Sequence, residues 1–426
     1  MTAAVPKFLP IFLVVMLACV ASAQTPTPAS FFGGHEHRLI TQNEAWPAGP
    51  GSTPIIGSMR TWDMESLNGW YQIETARGVY NWTNLDNLIN QAQQHGADIV
   101  YTFGWTPSWA VSGTCHYASG AGCADPPASM TYWDEFLTAL ATHAKGKIGT
   151  YEVWNEPNVI DGSGVGLFWN GDVPTLVTMT QHAQSIIKGI DPAAKITTPT
   201  PSTGKCSTAS YVHPGCWLND FFNSGGGAYV DVITFHGYTG SQGNPGAITT
   251  IADEIVTTMN AHGQTGKPMW DTESSQCSGS TSPDFVGQFE LLHVFSPISR
   301  HYWYAWDDGS CGPLWSPSGG LNGGGVAFAQ VYNWIVGSTK TQSTCSISGT
   351  LYTCSLALAN GDLGLALWNT AGSSSYTPPV AYTQYKDLSG NTHAVSGAVT
   401  IGVAPVLFVS PGARPSPPTG LTATVK

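Results

Sequence analysis

The strongest constraint in this chain of 426 residues is a rhythm. Short β-branched or aromatic runs alternate with longer amphipathic stretches, the pattern of βα units around a parallel sheet. The runs are FFGGHEH (31–37), IGSMRTW (56–62), ADIVYTF (97–103), TYEVWNE (150–156), KITTPT (195–200), VDVITFHGY (230–238), KPMWDTE (267–273) and RHYWYAW (300–306). Helices are predicted between them. TNLDNLINQAQQHG (83–96) places Leu85, Leu88, Ile89 and Ala92 on one face and stops at a glycine. SMTYWDEFLTALATHAKG (129–146) opens on a serine cap and ends on lysine and glycine. Others are expected over 173–192, 247–263, 283–299 and 324–337, with a short one near 216–226. Eight strands alternating with helices predict an α/β fold, a closed (β/α)8 TIM barrel, for which about 250 residues is typical. A doubly wound open sheet would want a glycine-rich phosphate loop after its first strand, and FFGGHEHR lacks one.

After residue 338 the helical pattern stops. LYTCSLALAN (351–360), DLGLALWNT (362–370), PPVAYTQYKDLSGN (378–391) and AVTIGVAPVLFVS (398–410) read as strands of a small antiparallel β-sandwich. The expected organisation is a signal peptide over 1–23, a catalytic barrel over 24–338, an accessory sandwich over 339–411 and a Pro-rich tail over 412–426. The signal peptide is read from Lys7, the apolar run at 8–20 and the small residues Ala21, Ser22 and Ala23. It implies a secreted protein, extracellular or periplasmic. No other stretch is apolar enough to span a membrane.

Cysteine usage agrees with export. Cys19 falls in the leader, and eight cysteines remain as close neighbours: Cys115 and Cys123, Cys206 and Cys216, Cys277 and Cys311, Cys345 and Cys354. An even count in an exported chain suggests disulfides, although eight cysteines allow 105 connectivities. Neighbour pairing is the working hypothesis. A net charge of −12 argues against nucleic acid and polyanionic partners and favours a neutral ligand.

Two runs end on a carboxylate. YEVWNEPN closes the fourth strand on Asn155 and Glu156, and KPMWDTES closes the seventh on Glu273. Functional residues of such barrels sit at the C-terminal ends of the strands, so both side chains would face one mouth. Two carboxylates across a pocket are what glycoside hydrolysis needs. An ion at the end of an apolar strand is costly unless it has a partner or a task.

The motif VWNEPN resembles the acid/base motif of the retaining glycoside hydrolases of clan A. The stretches 60–110 and 151–199 are similar to family 39 within that clan, and the likeness extends over roughly residues 31–338. The resemblance implies retaining hydrolysis of an oligo- or polysaccharide without cofactor or metal. It implies Glu156 as general acid/base and Glu273 as nucleophile. Asn155 would bind the hydroxyl beside the reacting carbon, with His236 and Tyr238 beside the nucleophile. Arg60 would help keep Glu273 ionised, and the Glu156 pKa should be raised.

Tryptophans Trp62, Trp105, Trp154, Trp303 and Trp306 fall at or after strand ends. All but Trp154 join the candidate sugar contacts, with Trp105 and Trp303 as the foremost stacking faces. His37 is expected to line the subsite. A rival reading takes His35 and His37 as ligands of a metal-dependent barrel hydrolase, with His236 and Asp307 completing the set. KITTPT supplies no histidine for it, and Asn155–Glu156–Pro157 goes unexplained. A catalytically silent sugar-binding protein is the third reading. The sugar is expected to be neutral and β-linked, since few basic residues surround the mouth. Exo or endo action and oligomeric state are not legible.

Overall fold

The computed structural model describes residues 25–64, 69–239, 243–277, 281–309 and 311–412. The proposed leader, and all of the tail beyond residue 412, lie outside the described residues. Each of the eight runs contributes one strand: β1 Phe32–Gly34, β2 Ser58–Arg60, β3 Asp98–Thr102, β4 Thr150–Glu152, β5 Lys195–Thr197, β6 Ile233–Phe235, β7 Met269–Ser274 and β8 Arg300–Trp303. They pair in the order β5-β4-β3-β2-β1-β8-β7-β6, all parallel. A single parallel bridge, Thr197 with Val232, joins β5 to the segment leading into β6 and closes the barrel.

Among the described residues, the helices longer than a single turn are α1 Thr83–Gln94, α2 Met130–His143, α3 Val173–Ile190, α4 Pro214–Asn223, α5 Ala247–Ala261, α6 Pro283–Val294 and α7 Gly323–Ile335. The apolar stripe of α1 is buried as its spacing predicts, through Leu85, Leu88, Ile89 and Ala92. Each fully buried Leu or Ile contributes roughly 1.5–3 kcal/mol. Ser129 caps α2 by accepting from the Thr131 N–H at 3.2 Å, and Asp172 caps α3 by accepting from Thr175 at 2.8 Å. No helix among the described residues is long and apolar enough to cross a membrane.

Strand parity divides the barrel. Val100, Val232, Trp270 and Tyr302 form a separate apolar layer in the lumen. Their sequence neighbours Ile99, Tyr101, Ile233, Met269 and Trp303 belong to the large core shared with the helices. Gly33 is required by this layer, because a Cβ there would collide with the Tyr302 ring.

The C-terminal strands are β9 Thr339–Lys340, β10 Ser346–Ser348, β11 Leu351–Ala357, β12 Leu363–Asn369, β13 Ser374–Tyr376, β14 Gln384–Lys386, β15 Thr392–Ala394, β16 Val399–Ile401 and β17 Val406–Ser410. One antiparallel sheet runs β9-β11-β12-β17-β14-β15 with β10 on β11, and β13 pairs with β16. On β12, Leu365 and Leu367 face Ile401 and Phe408, while Ala366 and Trp368 join the barrel core. The sheet sits against α6: Gln288 Nε2 donates to the Val403 carbonyl at 2.8 Å, and Lys340 Nζ donates to Val294 at 2.7 Å. All four neighbour disulfides are formed. Cys115–Cys123, Cys206–Cys216 and Cys277–Cys311 lie in segments that follow β3, β5, β7 and β8.

Candidate active site

The site is built on one buried cation. Arg60 ends β2 and is fully buried in the lumen. Its Nε donates to Glu152 Oε1 at 2.8 Å, its Nη1 to Glu273 Oε2 at 2.7 Å and its Nη2 to Asn155 Oδ1 at 2.8 Å. Thr102 Oγ1 also donates to Glu152 Oε1, at 3.1 Å. Burial alone would lower the guanidinium pKa, but the charges of Glu152 and Glu273 hold it above its ordinary value. A buried ion is tolerable on these terms, paired and hydrogen-bonded.

Beyond β4 the chain hooks. Asn155 bridges to Thr200, the Glu156 N–H donates to the Thr200 carbonyl at 2.8 Å, and the Thr200 N–H donates to Trp154 at 2.8 Å. Glu156 takes φ +41°, left-handed for a residue with a Cβ. That conformation costs roughly 1–2 kcal/mol and is concentrated at functional sites. Across the mouth, β7 carries a register irregularity between Asp271 and Ser274, and Glu273 lies within it.

The two glutamates meet around His236. Its Nδ1 lies 2.8 Å from Glu156 Oε1, and its Nε2 lies 3.8 Å from Glu273 Oε2. A carboxylate oxygen of Glu156 and one of Glu273 lie within 4.8 Å of each other. Tyr238 donates its hydroxyl to Glu273 Oε1 at 2.9 Å. The structure therefore brings Arg60, Asn155, Glu156, His236, Tyr238 and Glu273 together in one constellation.

The proton balance differs from the expectation. Burial pushes the Glu273 carboxyl above its usual range, and His236 and Arg60 only partly oppose it. Burial also raises Glu156, but the hydrogen bond and charge of His236 outweigh it and leave Glu156 low. His236 is raised: burial lowers it, while Glu273 and Glu156 more than compensate. The three shifts run in different directions, up for Glu273 and His236 and down for Glu156, with His236 the group that sets Glu156 low.

The tryptophans divide. Trp105 is half-buried and lies near-parallel to Trp62 at 6.2 Å, with Phe168 completing the group. Trp62 is 6% exposed. Trp303 offers no open face: it is 1% exposed, donates Nε1 to the Gly312 carbonyl at 2.6 Å and packs on Phe328 of α7. Its neighbours Tyr302 and Tyr304 turn the other way, so strand parity excludes Trp303 as a stacking face. Trp306 is 3% exposed and belongs to the same core, so it too is corrected.

At the rim, the His37 N–H donates to Asp307 Oδ1 at 2.9 Å. Tyr304 packs edge-on against His35 and His37 and donates its hydroxyl to Asp63 Oδ2 at 3.0 Å. His35 instead turns inward, with Nε2 3.0 Å from the Thr272 carbonyl. Among the described residues, the tight His and carboxylate groups are Glu156–His236–Glu273 and Asp271–His293–His301. Neither includes His35 or His37, so the metal reading lacks its ligand set.

Sequence reasoning missed Glu152, Asp63 and Tyr304. Glu152 was visible in principle as a charged residue inside the fourth strand run, calling for a buried partner. The exposed Asp63, at φ +59°, carried no such signal.

Comparison with known proteins agrees with this geometry. The sequence model of glycosyl hydrolases family 39 matches residues 59–267. That segment contains Glu156 and stops short of Glu273, a narrower span than the sequence reading gave. A beta-xylosidase of Caldicellulosiruptor saccharolyticus is 24% identical over 168 residues, covering 37% of this chain and 31% of that protein. A beta-xylosidase of Geobacillus stearothermophilus is 23% identical over 170 residues, covering 38% and 31%. The matches thus span about a third of these relatives' length. A family 39 glycoside hydrolase from Bacteroides cellulosilyticus WH2 superposes with a TM-score of 0.65 at 15% identity, covering 90% of this chain and 81% of its own. The GH39 enzyme from Xanthomonas axonopodis pv. citri gives 0.59 at 17%, covering 91% and 96%. Residues 59–267, just under half of the chain, thus carry the sequence pattern of glycosyl hydrolases family 39, on a barrel fold shared with solved enzymes of that family.

Proposed function

We propose that the protein is a secreted retaining glycosidase acting on a neutral, β-linked glycan, with β-xylosides as the first substrates to test. The carrying observation is the pair Glu156 and Glu273, with carboxylate oxygens within 4.8 Å across one barrel mouth. Retaining enzymes hold their carboxyl groups about 5–5.5 Å apart, and inverting enzymes leave about 6.5–9.5 Å for a water. Glu273 attacks the anomeric carbon as the bond to the leaving oxygen breaks, and Glu156 gives that oxygen its proton. Water then attacks the glycosyl–Glu273 ester, yielding its proton to Glu156 and freeing Glu273.

This division of labour needs a proton on Glu156 and none on Glu273. His236 lies between them, and its Nδ1 is 2.8 Å from Glu156 Oε1. Substrate binding excludes water and brings the glycosidic oxygen to Glu156, favouring its protonated form. The carboxylates Glu156, Glu273 and Asp63 about the mouth disfavour an acidic sugar. The names of the curated relatives favour xylose. The four disulfides suit an oxidising compartment. The test is hydrolysis of an aryl β-xyloside followed by NMR of the first-formed anomer. A β product is expected; an α product, or full activity in Glu273→Ala, would sink the proposal.

A further inference from the structure

Parallel pairing between β6 and β7 ends at Phe235 with Asp271. The next three residues, His236, Gly237 and Tyr238, carry the groups that touch both glutamates. Their position relative to Glu273 is fixed by a side chain. Asp271 is fully buried. Its Oδ1 accepts from the Gly237 N–H at 3.0 Å and from the Glu273 N–H at 3.3 Å. Its Oδ2 accepts from Ser274 Oγ at 2.6 Å and lies 2.9 Å from His293 Nε2. One carboxylate thus holds the backbone of Glu273 and the backbone between His236 and Tyr238.

The clamp is itself held from behind. His293 Nδ1 donates to the Phe289 carbonyl at 2.8 Å, within α6. Its ring stacks on His301 at 3.9 Å and 19°. His301 Nε2 lies 3.0 Å from Ser274 Oγ, and its Nδ1 lies 2.9 Å from Glu290. Gly237 is matched to the clamp, since a Cβ there would collide with Asp271 Oδ2.

We infer that Asp271 is a positioning residue, setting His236 and Tyr238 against Glu273 by replacing the main-chain ladder where it stops. The inference rests on Glu273 being the nucleophile. Displacing a reacting group by about 1 Å costs on the order of 100-fold in rate, so loss of the clamp acts on the chemical step.

The test is labelling by a 2-fluoro-β-xyloside with a good leaving group, which traps the glycosyl–enzyme. Label at Glu273 in the wild-type protein checks the underlying reading separately; no label there removes that reading and this one with it. Asp271→Ala should label to about one equivalent per chain, but at least about 30-fold more slowly. Asp271→Asn keeps an oxygen for both N–H groups and should stay within about threefold of wild type. Gly237→Ala leaves the Asp271 charge intact and should slow labelling as Asp271→Ala does, which covers the case where Asp271→Ala fails to fold. Wild-type labelling rates in Gly237→Ala or in folded Asp271→Ala would overturn the inference. So would an Asn variant as slow as the Ala variant.

Discussion

The barrel mouth and the C-terminal sheet bury opposite things. The mouth buries ions: Arg60, Glu152, Glu156 and Glu273 lie against one another with His236 among them. The inner face of the C-terminal sheet buries Leu365, Leu367, Ile401 and Phe408. Apolar burial stabilises without further conditions, whereas ionic burial stabilises only while every partner is present. The contrast separates a region shaped for chemistry, with a left-handed glutamate and unequal proton affinities, from one shaped for packing.

The sharpest way to break the contrast is through activity. Glu273→Ala should reduce kcat/KM by on the order of 10⁴ or more, as loss of a nucleophile does. Glu156→Ala should cost roughly 10²–10⁴, most for poor leaving groups, and added azide should restore turnover. Neither should change the melting temperature as much as a core deletion. Phe408→Ala inverts the pattern: a loss of about 3–5 kcal/mol in denaturant unfolding, with kcat/KM on an aryl glycoside unchanged in the folded fraction. A fall in turnover there would show that the sheet supports the mouth directly. Arg60→Met should lose on both counts, about 3–5 kcal/mol of stability and most of the activity, because it strands Glu152 and Glu273.

A pH profile sharpens the comparison further. Burial lifts Glu273 above the ordinary carboxylate range, so the acid limb of kcat/KM, where Glu273 must lose its proton, should lie above that range. Burial opposes the His236 proton but the two glutamates retain it, so the alkaline limb should fall above about pH 6.5, the ordinary histidine value. The proton is present below that limb and lost as pH rises through it. His236→Gln should move the alkaline limb downward. The smallest effect is expected on the outer surface. Arg77 pairs with Glu135 at 2.7 Å in solvent, and Arg77→Ala should leave both melting temperature and activity unchanged within error.

Much of this was legible in the text because it depends on local pattern. The β-run rhythm gave all eight strands, and the stripe through Leu85, Leu88, Ile89 and Ala92 gave α1 its buried face. Trp303 was misread because position at a strand end was weighed without parity, which turns it toward α7. Asp63 and Tyr304 were silent because they meet across 241 positions, and Asp271 because its hold on Gly237 spans 34 positions and a neighbouring strand.

The sequence by itself determined the alternation of elements, the strand ends on which Glu156 and Glu273 fall, and the cysteines available for bridging. These follow from periodicity and residue type, which act over a few neighbours. Only the tertiary structure decided that one arginine joins two carboxylates and an amide, that His236 comes between the glutamates, and that burial lifts the Glu273 carboxyl while His236 holds Glu156 low. Those outcomes depend on distance and burial after the barrel closes, because charges interact through the space and dielectric around them and not through their order along the chain.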